Sequence, residues 1–289
     1  MNDLKNFVVK GDCKIKLKNF STKPDDSVNK EKAIKKTAAN LERMEAFQDR
    51  LYSEGKEGLV LIFQAMDAAG KDSTIKNVMS GLNPQGIDVF SFKQPNSEEL
   101  AHSFMWRAAK NFPPRGKMAI FNRSYYEDVL VVRVHKLYEN YNLPDRCKHG
   151  DVIARRYDDI KSFEKYQYNN GYRIIKFFLN VSKEEQKKRF LERIDLQIKN
   201  WKFSSSDVKE RTYWNEYMKA YEDTINATAT KQSPWYIIPA DKKWYTRYLV
   251  SEAIIDVFKK IAPQYPVLSK TEQEKLQYNK LSLMNESSE

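Results

Sequence analysis

Residues 59–79 read LVLIFQAMDAAGKDSTIKNVM. An apolar run ends in a small-residue turn, passes through Gly70-Lys71 and continues into a helix-like pattern. That is the order of a phosphate-binding strand, loop and helix, in which backbone N–H groups and a lysine ammonium hold phosphate oxygens. The usual spacing is GxxxxGK[ST]; here Ala65 replaces the first glycine and Asp72 the hydroxyl. The candidate phosphate ligands are the backbone at Ala68, Ala69, Gly70, Asp72 and Ser73, and the Lys71 side chain. Asp67 lies inside this loop, where a bare carboxylate repels phosphate by roughly several kcal/mol at intermediate dielectric. It becomes useful if a divalent cation sits between, because Mg2+ takes one or two carboxylates plus substrate phosphates. The alternative is that Asp67 caps the following helix. Asp72 reads first as a cap that suits the helix dipole.

Outward from this unit, strand and helix patterns alternate. Strands are predicted at 59–64, 87–93, 117–121, 172–179 and 235–239. Helices are predicted at 71–82, 97–110, 125–134, 151–168 and 242–260, with another after Ser182. The fold class is α/β, a three-layer α/β/α arrangement around a five-stranded parallel sheet. Residues 1–55 read as a polar arm and an amphipathic helix carrying Ile34, Leu41, Met44, Phe47 and Leu51 at helical spacing. Residues 56–262 form the core, a charged and aromatic helical excursion at about 182–228 reads as a lid, and 263–289 is a polar tail expected to fray.

The chain has 289 residues, 41% of them hydrophobic, enough to bury a sizeable core. No apolar run is long enough to span a bilayer, and lysines interrupt any signal-peptide core near the N-terminus, so a cytoplasmic setting is expected. Two cysteines exclude a disulfide framework, and three isolated histidines show no ligand spacing. The net charge of +11 calls for a polyanionic partner. Nucleic acid is not expected, since no zinc finger, RNP-type strand or basic repeat occurs.

A second cluster, KMAIFNRSYYEDVLVVRVH, spans 117–135. Asn122 and Arg123 fall at a strand's C-terminal edge, where open α/β sheets bind ligands. The strand-end carboxylate that assists Mg2+ in related loops is replaced by Asn122, and the negative charge moves to Glu127 and Asp128. Ordinary acidity of a helix start is the alternative for those two. Asp67 and Asp128 are the candidate metal ligands. Lys93, Arg133, Arg189 and Arg193 are candidate phosphate neutralisers, the last two at i,i+4 on one helix face. Lys202 and Lys209 are weaker lid candidates. Trp201 and Phe203 suit either a base stack or a hydrophobic lid anchor.

These residues, with QAMDAAGKDSTIKNVMSGLNPQG, FSFKQPNSEEL, FNRSYYEDVLVVRVH, KFFLNVSKEEQKKRFLERI and SPWYIIPADKKWYTRYLV, resemble the polyphosphate kinase 2 family over about residues 30–262. The asparagine of FNRSYYED resembles that family's class III branch. The resemblance implies a P-loop kinase-like fold with a helical lid. It implies Mg2+-dependent, reversible phosphoryl transfer from inorganic polyphosphate to AMP and ADP, with GMP and GDP also accepted and Mn2+ as a substitute metal. Asp67 would match the family's metal-binding aspartate, Lys71 its loop lysine and Arg123 its strand-end arginine. Glu127 and Asp128 would match the acidic pair that sets acceptor range. Asn122 departs from the aspartate of other branches and would hydrogen-bond a phosphate or a metal-bound water. Nucleoside mono- and diphosphates are thus the implied small partners, with a homodimer or homotetramer and no membrane. The rival readings are an ATP-dependent nucleoside monophosphate kinase and a non-catalytic polyanion-binding protein.

Overall fold

A computed structural model describes residues 3–286. The extreme ends of the expected arm and tail, 1–2 and 287–289, and the Lys202 side chain lie outside the described residues.

The sheet has six strands: β1 (Val8–Val9), β2 (Gly58–Ala65), β3 (Ile87–Ser91), β4 (Met118–Asn122), β5 (Tyr172–Asn180) and β6 (Trp235–Pro239). Their order is β1-β6-β5-β2-β4-β3. β2 to β6 are all parallel and are the five strands expected; β1 joins β6 antiparallel, Val8 opposite Tyr236. Two residues among lysines carry no readable strand pattern, so this edge pairing was missed. The phosphate-loop strand β2 is central and buried along its whole length. That explains its unbroken apolar spelling, since both faces of a parallel sheet are covered.

The helices are α1 (Lys30–Glu54), α2 (Lys71–Val78), α3 (Ser97–Ala101), α4 (Trp106–Ala109), α5 (Val131–Val134), α6 (Asp145–Lys148), α7 (Val152–Asn169), α8 (Lys183–Asp195), α9 (Ser205–Glu210), α10 (Trp214–Thr228), α11 (Lys243–Ile261) and α12 (Lys270–Met284). α1 starts on an Asn29 cap, ends at left-handed Gly55 and stacks Phe47 on Phe258 of α11 at 5.3 Å. The segment before it is tied to the body: the Ile15 N–H donates to Asn226 Oδ1 (2.7 Å) and the Thr22 hydroxyl to Asp241 Oδ2 (2.7 Å).

Three helices depart from expectation. The 97–110 helix keeps its Asn96/Glu99 capping box but breaks after Ala101, and α4 turns Arg107 inward to donate to the Lys93 carbonyl at 2.7 Å. The 125–134 helix begins as a tight 3-10 turn over Tyr125–Val129, because two consecutive tyrosines are pulled into the core, and α5 follows after Leu130. The tail does not fray at once: α12 forms behind a Ser269/Glu272 capping box with its side chains exposed.

Candidate active site

The loop leaves β2 at Ala65 and enters α2 at Lys71. Gly70 is left-handed (φ 102°), which a side chain rarely adopts, so that glycine is required. Ala65 is not among the positive-φ residues, so its missing glycine costs nothing there; Ala68 takes the second left-handed position instead (φ 58°). Arg189 reaches from α8 beneath the loop. Its Nη1 donates to the Ala68 (3.1 Å) and Ala69 (2.7 Å) carbonyls, Nη2 to the Ala240 carbonyl (2.7 Å) and Nε to Glu185 Oε1 (2.8 Å). With its donors committed to carbonyls and a carboxylate, Arg189 holds the loop rather than standing ready for a row of phosphates.

A cleft of about 590 Å³ opens over the loop, at the C-terminal ends of β2, β3 and β4. Asp67, Gly70, Lys71, Ser73, Lys93 and Arg123 line it, and Arg193 borders it. Burial, helped by the neighbouring Arg123 charge, lowers the Lys71 pKa. Asp67 Oδ1 accepts from Arg123 Nη2 at 2.9 Å, and the Asp67 carbonyl accepts from Gln186 at 2.9 Å. Arg123 is itself left-handed (φ 62°), a strain of about 1–3 kcal/mol for a non-glycine residue. Burial opposes its charge, but Glu127 and Asp67 outweigh this and raise its pKa. Asn122 Nδ2 donates to Asp72 Oδ1 at 2.8 Å, so the two departures from common loop spelling answer each other.

A smaller cavity of about 100 Å³ lies against Asp67, Arg123, Glu127, Asp207 and Tyr217. Burial pushes the Glu127 carboxyl up, against the pull of Arg123 and Lys71. Gln64 holds it, the amide nitrogen donating to Glu127 Oε1 (2.9 Å) and the oxygen accepting from Ser124 Oγ (3.2 Å).

Two expected site residues are not brought here. Asp128 turns the other way, into a separate cavity of about 280 Å³ with Phe104, Arg107, Tyr141 and Arg156. Its Oδ1 accepts from Arg156 Nη1 at 3.3 Å, and burial pushes its carboxyl up to about 6 despite Arg156 and Arg107. Arg133 pairs with Asp223 (2.8 Å) and Tyr157 (3.0 Å), away from the loop. Sequence reasoning missed Lys199, Asp207 and Lys243, which line the cleft. Lys243 follows β6, so the strand-end rule applied there would have found it. Asp207 pairs with Arg193 at 3.4 Å, and its carboxyl is raised by burial and by facing Asp67. Trp201 is 79% exposed at the cleft, which does not fit a buried anchor, and Lys209 is exposed.

A central parallel sheet, a lysine-bearing loop at its strand ends and an arginine opposite a loop carboxylate define a phosphotransferase of the P-loop kinase kind. Residues 27–266 match the family model described as Polyphosphate kinase 2 (PPK2), and the chain belongs to that family. It is 45% identical over 265 residues to the ADP-polyphosphate phosphotransferase of Rhodopseudomonas palustris, covering 91% of this chain and 92% of that one. It is 42% identical over 267 residues to the AMP/ADP-polyphosphate phosphotransferase of Meiothermus ruber, covering 91% and 96%. The crystal structure of polyphosphate kinase 2 from Arthrobacter aurescens TC1 superposes with a TM-score of 0.83 at 33% identity, over 94% of this chain and 98% of that one. Phosphotransferases of this family generally need a divalent metal.

Proposed function

We propose that this chain transfers the terminal phosphoryl group of inorganic polyphosphate to AMP and ADP, and to GMP and GDP, reversibly and with Mg2+, Mn2+ serving as a substitute. The observation that carries this is Asp67, a half-exposed carboxylate inside a phosphate loop, with Lys71 and Arg123 beside it. Among the described residues no group of three or more His, Cys, Asp or Glu side chains could cage a metal. Asp67 is a single carboxylate lining an open cleft, which fits Mg2+, an ion that keeps waters and completes its shell with substrate phosphates. Asp67 would hold it; the second expected ligand, Asp128, is turned to Arg156, which supports a role in acceptor recognition instead. The ion's chemistry there is charge neutralisation between donor and acceptor phosphates.

Lys71 and the N–H groups of Ala68 and of Gly70 to Ser73 bind and orient donor phosphates, and Lys93, Arg193, Lys199 and Lys243 neutralise the rest of the anionic chain. Arg123 faces the transferring group. Transfer is in line and rests on positioning and charge, without a covalent enzyme intermediate. None of the three histidines lines the cleft over the loop. The acceptor's base enters the Phe104/Arg107/Tyr141 cavity. Support comes from two links to the cleft: Arg107 holds the Lys93 carbonyl, and Asp128 adjoins Glu127. Residues 182–228 act as a lid on a 56–262 core, with α8 as its base fixed to the loop by Arg189 and 196–213 as the part over the cleft, supported by Lys199, Trp201 and Asp207 lining that cleft. The arm 1–55 and tail 263–289 flank that core in a cytoplasmic homodimer or tetramer. The two free cysteines support that setting, and no helix among the described residues is long and apolar enough to cross a membrane.

Incubation with Mg2+, ADP and long-chain polyphosphate, without ATP, tests the reading: ATP should form. Phosphorylation of AMP only when ATP is the donor would instead support an ATP-dependent kinase, and binding without turnover a polyanion-binding protein.

A further inference from the structure

Lys176 stands in the middle of β5, opposite Ile62 on β2 and Trp235 on β6, with its side chain fully buried. A lone ammonium is not tolerated in such a place, and this one is paired. Its Nζ donates to Glu164 Oε2 of α7 at 2.6 Å and to the Thr228 carbonyl at 2.9 Å, with the Tyr126 and Trp235 rings 5.6 and 5.5 Å away. Hydrophobic side chains of similar volume would fill such a core at least as well, so the pair is not explained by stability. The other carboxylate oxygen shows what it holds. Glu164 Oε1 accepts from Tyr125 Oη at 2.8 Å and from Tyr126 Oη at 2.7 Å. Burial, with the Glu164 charge beside them, raises both phenols well above their ordinary range, so both remain donors.

Those tyrosines directly follow the strained turn. Arg123 is left-handed, Ser124 is extended (φ −172°), and Glu127 directly follows the second ring. A left-handed non-glycine residue persists where its surroundings over-determine it. Here the Arg123 N–H is fixed on the Phe63 carbonyl (3.0 Å), the Tyr126 N–H on Ser124 Oγ (3.1 Å) and both phenols on Glu164. We propose that the buried Lys176–Glu164 pair is a positioning device: it clamps Tyr125 and Tyr126, and through them aims Arg123 and Glu127 at Asp67. This rests on the reading of Arg123 as the residue that faces the transferring group.

The test uses two double variants of the full chain, assayed for ATP formation from polyphosphate and ADP, with thermal midpoints measured alongside. Tyr125→Phe/Tyr126→Phe keeps the rings and removes only the ties to Glu164. Lys176→Met/Glu164→Met removes both charges and the oxygen that accepts from the phenols, at similar volume. The expected result for each is a kcat at least tenfold lower, with the KM of ADP and of polyphosphate changed less than threefold, the split of an interaction used only in the transition state. Each single Tyr→Phe variant, keeping one tie, should fall between. Wild-type kcat in the tyrosine pair, or a loss that merely tracks the fraction of unfolded protein, overturns the clamp, even if the charge pair fails to fold. Arg123→Ala is the control: activity lost there but kept in the tyrosine pair rejects the clamp alone, whereas activity kept in Arg123→Ala removes the reading beneath it.

Discussion

At the scale of single residues, the site turns on charges that would repel substrate unless balanced. Asp67 is tolerable because Arg123 faces it at 2.9 Å and a metal can stand before it. Asp67→Ala and Lys71→Ala should each lower kcat by about a hundredfold or more, the order found when a group stabilising transition-state charge is removed. Melting temperatures should move by only a few degrees, since neither side chain is core; wild-type rates would overturn the assignment. Asn122 makes a sharper case. Its amide donates to Asp72, so Asn122→Asp sets two carboxylates against each other. The variant should melt below wild type without metal and recover when millimolar Mg2+ is added, a response that wild type lacks in scanning fluorimetry. These side chains were legible beforehand because the loop, its carboxylate and the strand-end Arg123 are sequence-local. The pairing of Asn122 with Asp72 spans fifty positions and was not.

At the scale of elements, α8 and the loop behave as one piece. Arg189 supplies the joint, and a guanidinium fork is needed to reach carbonyls on both sides. Arg189→Lys should therefore lower the unfolding midpoint in urea and depress kcat, with no recovery from added polyphosphate. Its i,i+4 spacing with Arg193 was readable; that it points down to backbone and not up to substrate was not, because helix periodicity gives a face and not its neighbours. The same limit applies to Asp128, beside Glu127 in sequence but in another cavity. Its folded pKa, raised to about 6, means that the folded state binds this proton more tightly than the unfolded state does. Its contribution is fully present below about pH 4 and is lost as pH rises through about 6, a change of about 3 kcal/mol for about two pKa units. Asp128→Asn should lack that slope, so the difference in urea stability between variant and wild type should grow from pH 4.5 to 7; a constant offset would contradict it.

At the scale of the whole molecule, the net charge of +11 has a kinetic reading. A long polyanion meets the field of the entire protein, whereas ADP meets mainly the cleft. Raising KCl from 50 to 300 mM should increase the KM of long-chain polyphosphate about tenfold and that of ADP less than threefold; equal increases would confine recognition to the cleft. The five parallel strands were legible, and β2, β4, β5 and β6 were so because largely buried strands declare themselves by composition. The sixth was not, since a two-residue strand is chosen by its partner and not by its own sequence. That strand has a consequence for synthesis. Val8–Val9 leaves the ribosome about 226 residues before Trp235, the residue it must pair with, so at ordinary elongation rates it waits roughly 10–50 s for a template. Until then the nascent chain has its phosphate loop made but one margin of its sheet unsealed, and a chaperone that shields that margin should raise the yield of folded enzyme.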